Sequence, residues 1–197
     1  LYKSVEYMIK ADIPGAIVEC GVWKGGSMML VAETLRLQKD AQRQLLLYDT
    51  FEGLPVPDAD LDLDLNSNPA IDRYRPHWAY AGFDEVLENM RSVATYTRDI
   101  LHGVSWDPIQ FNLHKGMVED TLPKLDRDVA IARLDTDWYS STKVELEVLW
   151  PLISPGGLLI VDDYGHWQGA RKATDDYFAD KPGKMTRGDY SCRVIQK

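Results

Sequence analysis

The sequence predicts an α/β domain with a mostly parallel sheet and helices on both faces. Three observations carry this. Apolar runs of strand length recur along the chain and read as buried strands. Segments with helical spacing of apolar residues separate them, and parallel neighbours need such crossovers. Two of the runs stop on pairs of carboxylates, "RLDTD" and "LLIVDD", as strands do when their ends carry chemistry.

In chain order, "GAIVECG" (Gly15 to Gly21) is the first strand, behind Pro14, and opens into a glycine turn. "SMMLVAETLRLQKD" (Ser27 to Asp40) follows as a helix, with Met28, Leu30, Val31, Thr34 and Leu35 carrying the periodicity. "QLLLYDTF" (Gln44 to Phe51) is a second strand. "FDEVLENMRSVA" (Phe83 to Ala94) is a helix with Phe83, Val86, Leu87 and Met90 on one face. "PIQFNLHKG" (Pro108 to Gly116) and "VAIARLD" give the third and fourth strands. "STKVELEVLWPLI" is a helix that "SPGG" ends, "GGLLIVDD" a fifth strand, and "GARKATDDYFAD" a further helix. The tail, "KMTRGDYSCRVIQK", suits an antiparallel hairpin at the sheet edge. Between the second strand and the next helix, Gly53 to Gly82 is too long for an ordinary connection. Its aromatics Tyr74, Trp78 and Tyr80 fit a lid that orders over a ligand, whereas the acidic run Asp58 to Asp64 alone reads as a solvated flank.

The chain has 197 residues, which suits one domain, residues 1–197, with the insertion at about 53–82. Apolar residues at 45% and charged ones at 27% are globular proportions. A net charge of -9 argues against nonspecific binding to nucleic acid or an anionic membrane, and no apolar run is long enough to span a bilayer. Cys20 and Cys192, both placed in strands, read as buried thiols of a reducing compartment, so the expected location is the cytoplasm. No signal peptide is visible, and a start at Leu1 without methionine implies an upstream segment.

"ECGVWKGGS" lies where the first strand meets the first helix. Glycines there let a backbone approach a ligand, and a helix N-terminus offers free N–H groups. Gly21-x-x-x-Gly25-Gly26 matches neither the dinucleotide fingerprint nor the P-loop, and Lys24 is misplaced for a P-loop lysine. Glu19 would repel a phosphate and suits an ammonium. Asp49, ending the second strand, reads either as a turn aspartate or as a partner for both hydroxyls of a ribose. A ligand with an ammonium, a carboxylate and a ribose but no phosphate is S-adenosylmethionine.

Asp135 and Asp137 end the fourth strand, and Asp162 and Asp163 the fifth. Thr142 with Glu145 reads as a capping box for the next helix, so at least one of the aspartates is redundant as a cap. Adjacent strands lie about 4.8 Å apart, and unpaired carboxylates so close repel. Arg133 is an available partner, but from inside the strand it is not expected to serve acids on both strands. A hard divalent cation such as Mg2+ is the expected occupant.

With "IVECGVWKGGS", "LYDTFEGLP", "HKGMVEDTLP", "LDTDWYSSTKVELEVLWPLISPGG" and "IVDDYGHWQGARKATDDYF", the chain resembles the macrocin O-methyltransferase family from about Gly15 to Phe178. The resemblance implies a Rossmann-like class I methyltransferase sheet of seven strands, the last antiparallel. It implies S-adenosylmethionine and Mg2+ as cofactors and a sugar or glycoside hydroxyl as acceptor. Asp135, Asp162 and Asp163 take the metal positions and Asp137 that of the general base. Glu19, Gly21, Gly25, Ser27 and Asp49 fall at cofactor positions, with Asp135 also bordering the cofactor. Gly116, Met117 and Glu119 fall where the adenine sits. Pro55 to Gly82 carries no motif of the family and should shape the acceptor pocket.

A sugar hydroxyl needs help to attack a methyl sulfonium at neutral pH. A cation holding adjacent hydroxyl oxygens lowers the pKa of one, and Asp137 takes its proton. His166 is a rival base or a hydrogen-bond donor to substrate. Trp23, Trp138 and Trp167 either line the acceptor pocket or pack its rim. His77, His102 and His114 form no constellation. Three other readings stay open: a catechol-type methyltransferase, a nicotinamide-dependent oxidoreductase, and a binding module without activity. A homo-oligomer also stays open.

Overall fold

The computed structural model describes residues 1–40, 42–94, 98–99, 104–105, 108–181 and 183–197. Its elements are α1 (Tyr2–Lys10), β1 (Ala16–Cys20), α2 (Gly26–Leu37), β2 (Leu45–Asp49), α3 (Phe83–Ala94), the short pair β3 (Arg98–Asp99) and β4 (Val104–Ser105), and β5 (Phe111–Lys115). After these come α4 (Val118–Thr121), β6 (Val129–Leu134), α5 (Tyr139–Leu152), β7 (Ile153–Val161), α6 (Gln168–Phe178), β8 (Lys184–Arg187) and β9 (Arg193–Gln196). Seven strands form one sheet in the order β5-β2-β1-β6-β7-β9-β8. Pairing is parallel from β5 to β7 and antiparallel for β7 with β9 and β9 with β8.

The central strands are buried on both faces because their side chains alternate between two cores. Ile17, Ile131, Leu158 and Ile160 point to the side covered by α1, α2 and α3, where Met8, Val31, Leu35 and Met90 pack. Val18, Ala132, Leu159 and Val161 point to the side of α5 and α6, meeting Leu146, Leu149 and Ala173. The chain leaves β1 toward β2 and β5, then returns to place β6 on the other flank of β1. That reversal is the switch point at which open α/β sheets bind ligands.

Four local expectations are corrected. α1 lies in a stretch to which the sequence reading assigned no element; its Val5 and Met8, three apart, are its buried face. "SPGG" does not separate helix from strand: α5 ends at Leu152 and β7 begins at Ile153, while Val129 and Ile131 pair with Ile153 and Leu158. The register shifts between these two pairs, and the extra stretch of β7 contains Gly156 at φ +82°. Cys192 precedes β9 instead of lying within it and is half-buried; Cys20 is buried, and both thiols are free. The run Asp58 to Asp64 is not a solvated flank, since Asp62 and Asp64 are buried.

Gly21 shows how tightly the switch point is built. It has φ +80°, and a Cβ there would overlap the backbone carbonyl of Asp135. The crossing is locked by Asp135 N–H donating to the Cys20 carbonyl at 2.9 Å. Gly26, by contrast, opens α2 with nothing within 4 Å of an added Cβ. Gly21→Ala should therefore lower the melting temperature severely or prevent folding, while Gly26→Ala leaves it unchanged or slightly raised. Equal melting temperatures for the two variants would contradict the crossing described.

Candidate active site

At the switch point the two turns that follow β1 and β2 are fastened by one carboxylate. Asp49 Oδ2 accepts the N–H groups of Val22 and Trp23 at 2.7 and 3.1 Å, and its Oδ1 accepts Phe51 N–H at 2.7 Å. Asp49 thus has the turn role that the sequence allowed, and it also borders the cavity described below. Gly25, φ +83°, stands at the start of α2 against Val86 and Met90, and Ser27 lies half-buried in the first turn.

Arg133 organises the next layer. It sits on β6 directly opposite Glu19 of β1. Nη1 contacts Glu19 Oε1 at 2.7 Å and Asp135 Oδ2 at 2.6 Å, and Nη2 contacts Asp162 Oδ2 at 3.0 Å. The expectation that Arg133 could not serve acids on both strands is therefore wrong. A guanidinium projects a planar fork of donors, and from the middle strand it reaches β1 and the end of β7 at once. Glu19 is almost wholly buried, which pushes its carboxyl up to about 7, with Arg133 and Ser27 opposing the shift.

Beside Arg133 the carboxylates of Asp135, Asp137 and Asp163 converge, each offering an oxygen within 4.8 Å of the others. Burial, reinforced by the neighbouring acids and opposed by Arg133, pushes Asp135 up to about 9. Burial and the adjoining Asp163 raise Asp137 far above the carboxylate range. Asp137 also adopts φ +68°, left-handed backbone that aspartate tolerates only at a cost. Carboxylates gathered this closely are stable either as a proton-sharing set or around a cation.

The helix after them is not capped by Thr142. α5 begins at Tyr139, three residues earlier, and Thr142 and Glu145 are buried inside it. The Tyr139 N–H is satisfied from the long insertion, by Asp62 Oδ1 at 2.8 Å. Neither Asp135 nor Asp137 caps this helix, one more than expected, and the cap comes from elsewhere. The insertion is pinned further by Gln168 N–H to the Leu63 carbonyl at 2.8 Å and by Trp138 Nε1–H to the Pro55 carbonyl at 2.9 Å. Trp78, Trp138 and Trp167 meet edge-to-face at 5.1 to 6.2 Å between ring centres. Trp138 and Trp167 thus pack the rim, whereas Trp23 is 56% exposed at the cavity mouth.

The cavity itself, about 190 Å3, opens between the ends of β1, β2 and β6. Of the residues singled out from sequence, Gly21, Asp49, Gly116, Met117, Glu119, Asp135 and Asp137 border it. Glu19 is held behind it by Arg133. Glu119 Oε2 is buried with no hydrogen-bond partner. His166 lies apart from the cavity lining, edge-on to Trp167 at 4.8 Å and to Tyr190 at 6.4 Å. His114 stacks on Tyr48 at 4.3 Å, His77 meets Tyr80 at 5.5 Å, and His102 lies outside the described residues. Sequence reasoning missed Asp62, which alternates with leucines in "DADLDLDL", a strand-like pattern that could have marked it as half-buried.

The comparisons agree with this architecture. The family model described as Macrocin-O-methyltransferase (TylF) matches residues 1–192, and the chain belongs to that family. It is 37% identical over 179 residues to the 8-demethyl-8-(2,3-dimethoxy-alpha-L-rhamnosyl)-tetracenomycin-C 4'-O-methyltransferase of Streptomyces olivaceus, covering 90% of this chain and 63% of that protein. It is 33% identical over 178 residues to the demethyldecarbamoylnovobiocin O-methyltransferase of Streptomyces niveus, with coverages of 90% and 63%. The chain thus spans less than two thirds of the length of these relatives. The solved structure of the O-methyltransferase NovP superposes with a TM-score of 0.80 at 29% identity, over 100% of this chain and 77% of that one. The calicheamicin methyltransferase CalS11, at 20% identity and a TM-score of 0.69, shares the fold. No helix among the described residues is long and apolar enough to cross a membrane.

The cluster has a pH signature. The folded values of Asp135, about 9, and Glu145, about 8, lie above their ordinary 3.8 and 4.5. Stability from these groups is complete at low pH and is lost as the pH rises through those folded values. In chelator the melting temperature should fall between pH 5 and 9, and Mg2+ or Mn2+ at pH 8 should restore it. A flat profile in chelator would contradict the cluster as described, and no response to either cation would make it a proton-sharing set.

Proposed function

We propose that this chain is the cofactor-binding and catalytic part of an S-adenosylmethionine-dependent O-methyltransferase that uses a divalent cation to methylate a sugar or glycoside hydroxyl. The observation that carries the reading is the convergence of Asp135, Asp137 and Asp163 at the edge of a cavity at the sheet's switch point. Family membership and the rhamnosyl acceptor in the name of the Streptomyces olivaceus relative support a sugar over other hydroxyls.

The residues fit the cofactor. Gly21 keeps the first turn clear of any side chain, and Glu119 Oε2, buried without a partner, stands ready for a ligand donor beside Gly116 and Met117. Asp49 gives three of its roughly four acceptor sites to the two turns, which leaves one for a ribose hydroxyl. Gly25 and Ser27 shape the start of α2, and Glu19 balances Arg133 behind it. The three carboxylates fit a hard cation such as Mg2+, whose all-oxygen preference they match. Bound there, that cation would supply Lewis acidity to the acceptor hydroxyl. Asp163 and Asp135 would hold it; Asp162, fixed by Arg133, would join as a ligand through an oxygen that the ion pair leaves free.

Asp137 has the position of the general base. Its left-handed backbone fixes its carboxyl beside the other two, and with the cluster's charge neutralised it ionises and accepts the acceptor's proton. His166, outside the cavity lining, would meet only a part of the acceptor that extends beyond it. Residues 53–82 form the acceptor wall, with Trp23 opposite. A single domain with this inserted wall, working in the cytoplasm, completes the proposal.

Purified protein should transfer methyl groups from S-adenosylmethionine to a rhamnoside, and a chelator should abolish the transfer. Asp137→Asn should lower turnover by about 10²- to 10⁴-fold while S-adenosylhomocysteine still binds. Transfer to catechols but not to sugars would shift the assignment to the catechol class. Full turnover by Asp137→Asn would remove the base assignment.

A further inference from the structure

β6 runs out as Asp135-Thr136-Asp137. The two aspartates enter the acid cluster, but the hydroxyl of Thr136 goes to α5: it lies 2.8 Å from Ser141 Oγ and 2.9 Å from Glu145 Oε1. Ser141 Oγ–H in turn reaches the Trp138 carbonyl at 3.1 Å. Ser141 and Glu145 are one helical turn apart, on the face of α5 turned to the end of β6. Glu145 is fully buried, and its Oε2 has no hydrogen-bond partner. A carboxyl in such a place costs free energy that a leucine would not. It does not cap the helix, because α5 starts six residues before it. Besides the buried Cys20 thiol, it touches the single residue between two cluster acids, at the foot of a turn whose next residue holds φ +68°.

We propose that Glu145 is a positioning residue which, through Thr136, holds the Asp135–Asp137 turn in the geometry that gathers the carboxylates. The inference rests on the reading of that cluster as catalytic. Burial pushes Glu145 up to about 8, so near neutrality it is largely protonated, and a neutral side chain of the same shape should replace it. Glutamine keeps a carbonyl oxygen for the Thr136 hydroxyl; leucine removes it. Thr136→Val cuts the same link from the other side and preserves β-branching.

The test compares Glu145→Gln, Glu145→Leu, Thr136→Val and the Thr136→Val/Glu145→Leu double variant, each with S-adenosylmethionine, Mg2+ and a rhamnoside acceptor. Glu145→Leu and Thr136→Val should each lose at least about tenfold in kcat, with KM for S-adenosylmethionine within about twofold. Glu145→Gln should stay within about threefold of the parent. The double variant should be no worse than either single one, because both cut one link. Backbone 13C shifts of Asp137 report the left-handed geometry without any need for activity. They should move in Glu145→Leu and return in Glu145→Gln. Parent-like kcat and shifts in folded Glu145→Leu, or losses that multiply in the double variant, would overturn the proposal. If the parent transfers no methyl group, the functional reading fails on its own. The Asp137 shifts then decide the positioning role: displacement in Glu145→Leu supports it, and unmoved shifts overturn it.

Discussion

The fork of Arg133 joins three strands at the point where the sheet reverses. Glu19 comes from β1, Asp135 from the end of β6 and Asp162 from the end of β7. An isolated charge in this position would be costly to bury, so the guanidinium and its partners must be kept or lost together. The geometry follows from register: Glu19 is level with Arg133, and Leu134 with Val161, so the acids after each strand emerge side by side. Arg133 thus holds one carboxylate from the end of each of β6 and β7, beside the convergence of Asp135, Asp137 and Asp163.

Around this centre the chain spends much of its irregular structure on the acid-bearing segments. The insertion sends Asp62 to the first N–H of α5, two residues past Asp137. Gly169 of α6 must be glycine for that carboxylate to fit, since a Cβ there would overlap Asp62 Oδ1. Trp138, next to Asp137, and Trp167, four residues past Asp163, are clamped against Trp78 of the insertion. The insertion and the segments that carry the carboxylates are therefore one packed unit. A change in the wall is felt at the acids through side-chain packing.

Much of this was legible from sequence, for physical reasons. Buried parallel strands have to be apolar on both faces, which made β1, β2, β6 and β7 visible, and the adjacency of β6 and β7 follows from the helix between them. The four aspartates stood out because strand ends in a core seldom need carboxylates. What the sequence concealed was long-range pairing. Thr142 with Glu145 has the spacing of a capping box, yet the true cap is a carboxylate 77 residues away. Arg133 was visible, but its reach across two neighbours depends on register, which a one-dimensional pattern does not contain. α1 was overlooked because it precedes the first strand and carries no cap signal, with Leu1 at its N-cap position.

Anomalous diffraction from crystals grown with S-adenosylhomocysteine and Mn2+ tests the central claim most directly. The account predicts one manganese peak at the carboxylates of Asp135 and Asp163, with Asp162 joining them and Asp137 beside the ion as the base, next to a ligand seated against Gly21, Gly116 and Glu119. A ligand in that cavity with no metal peak at the acids would contradict the claim that they gather to hold a cation.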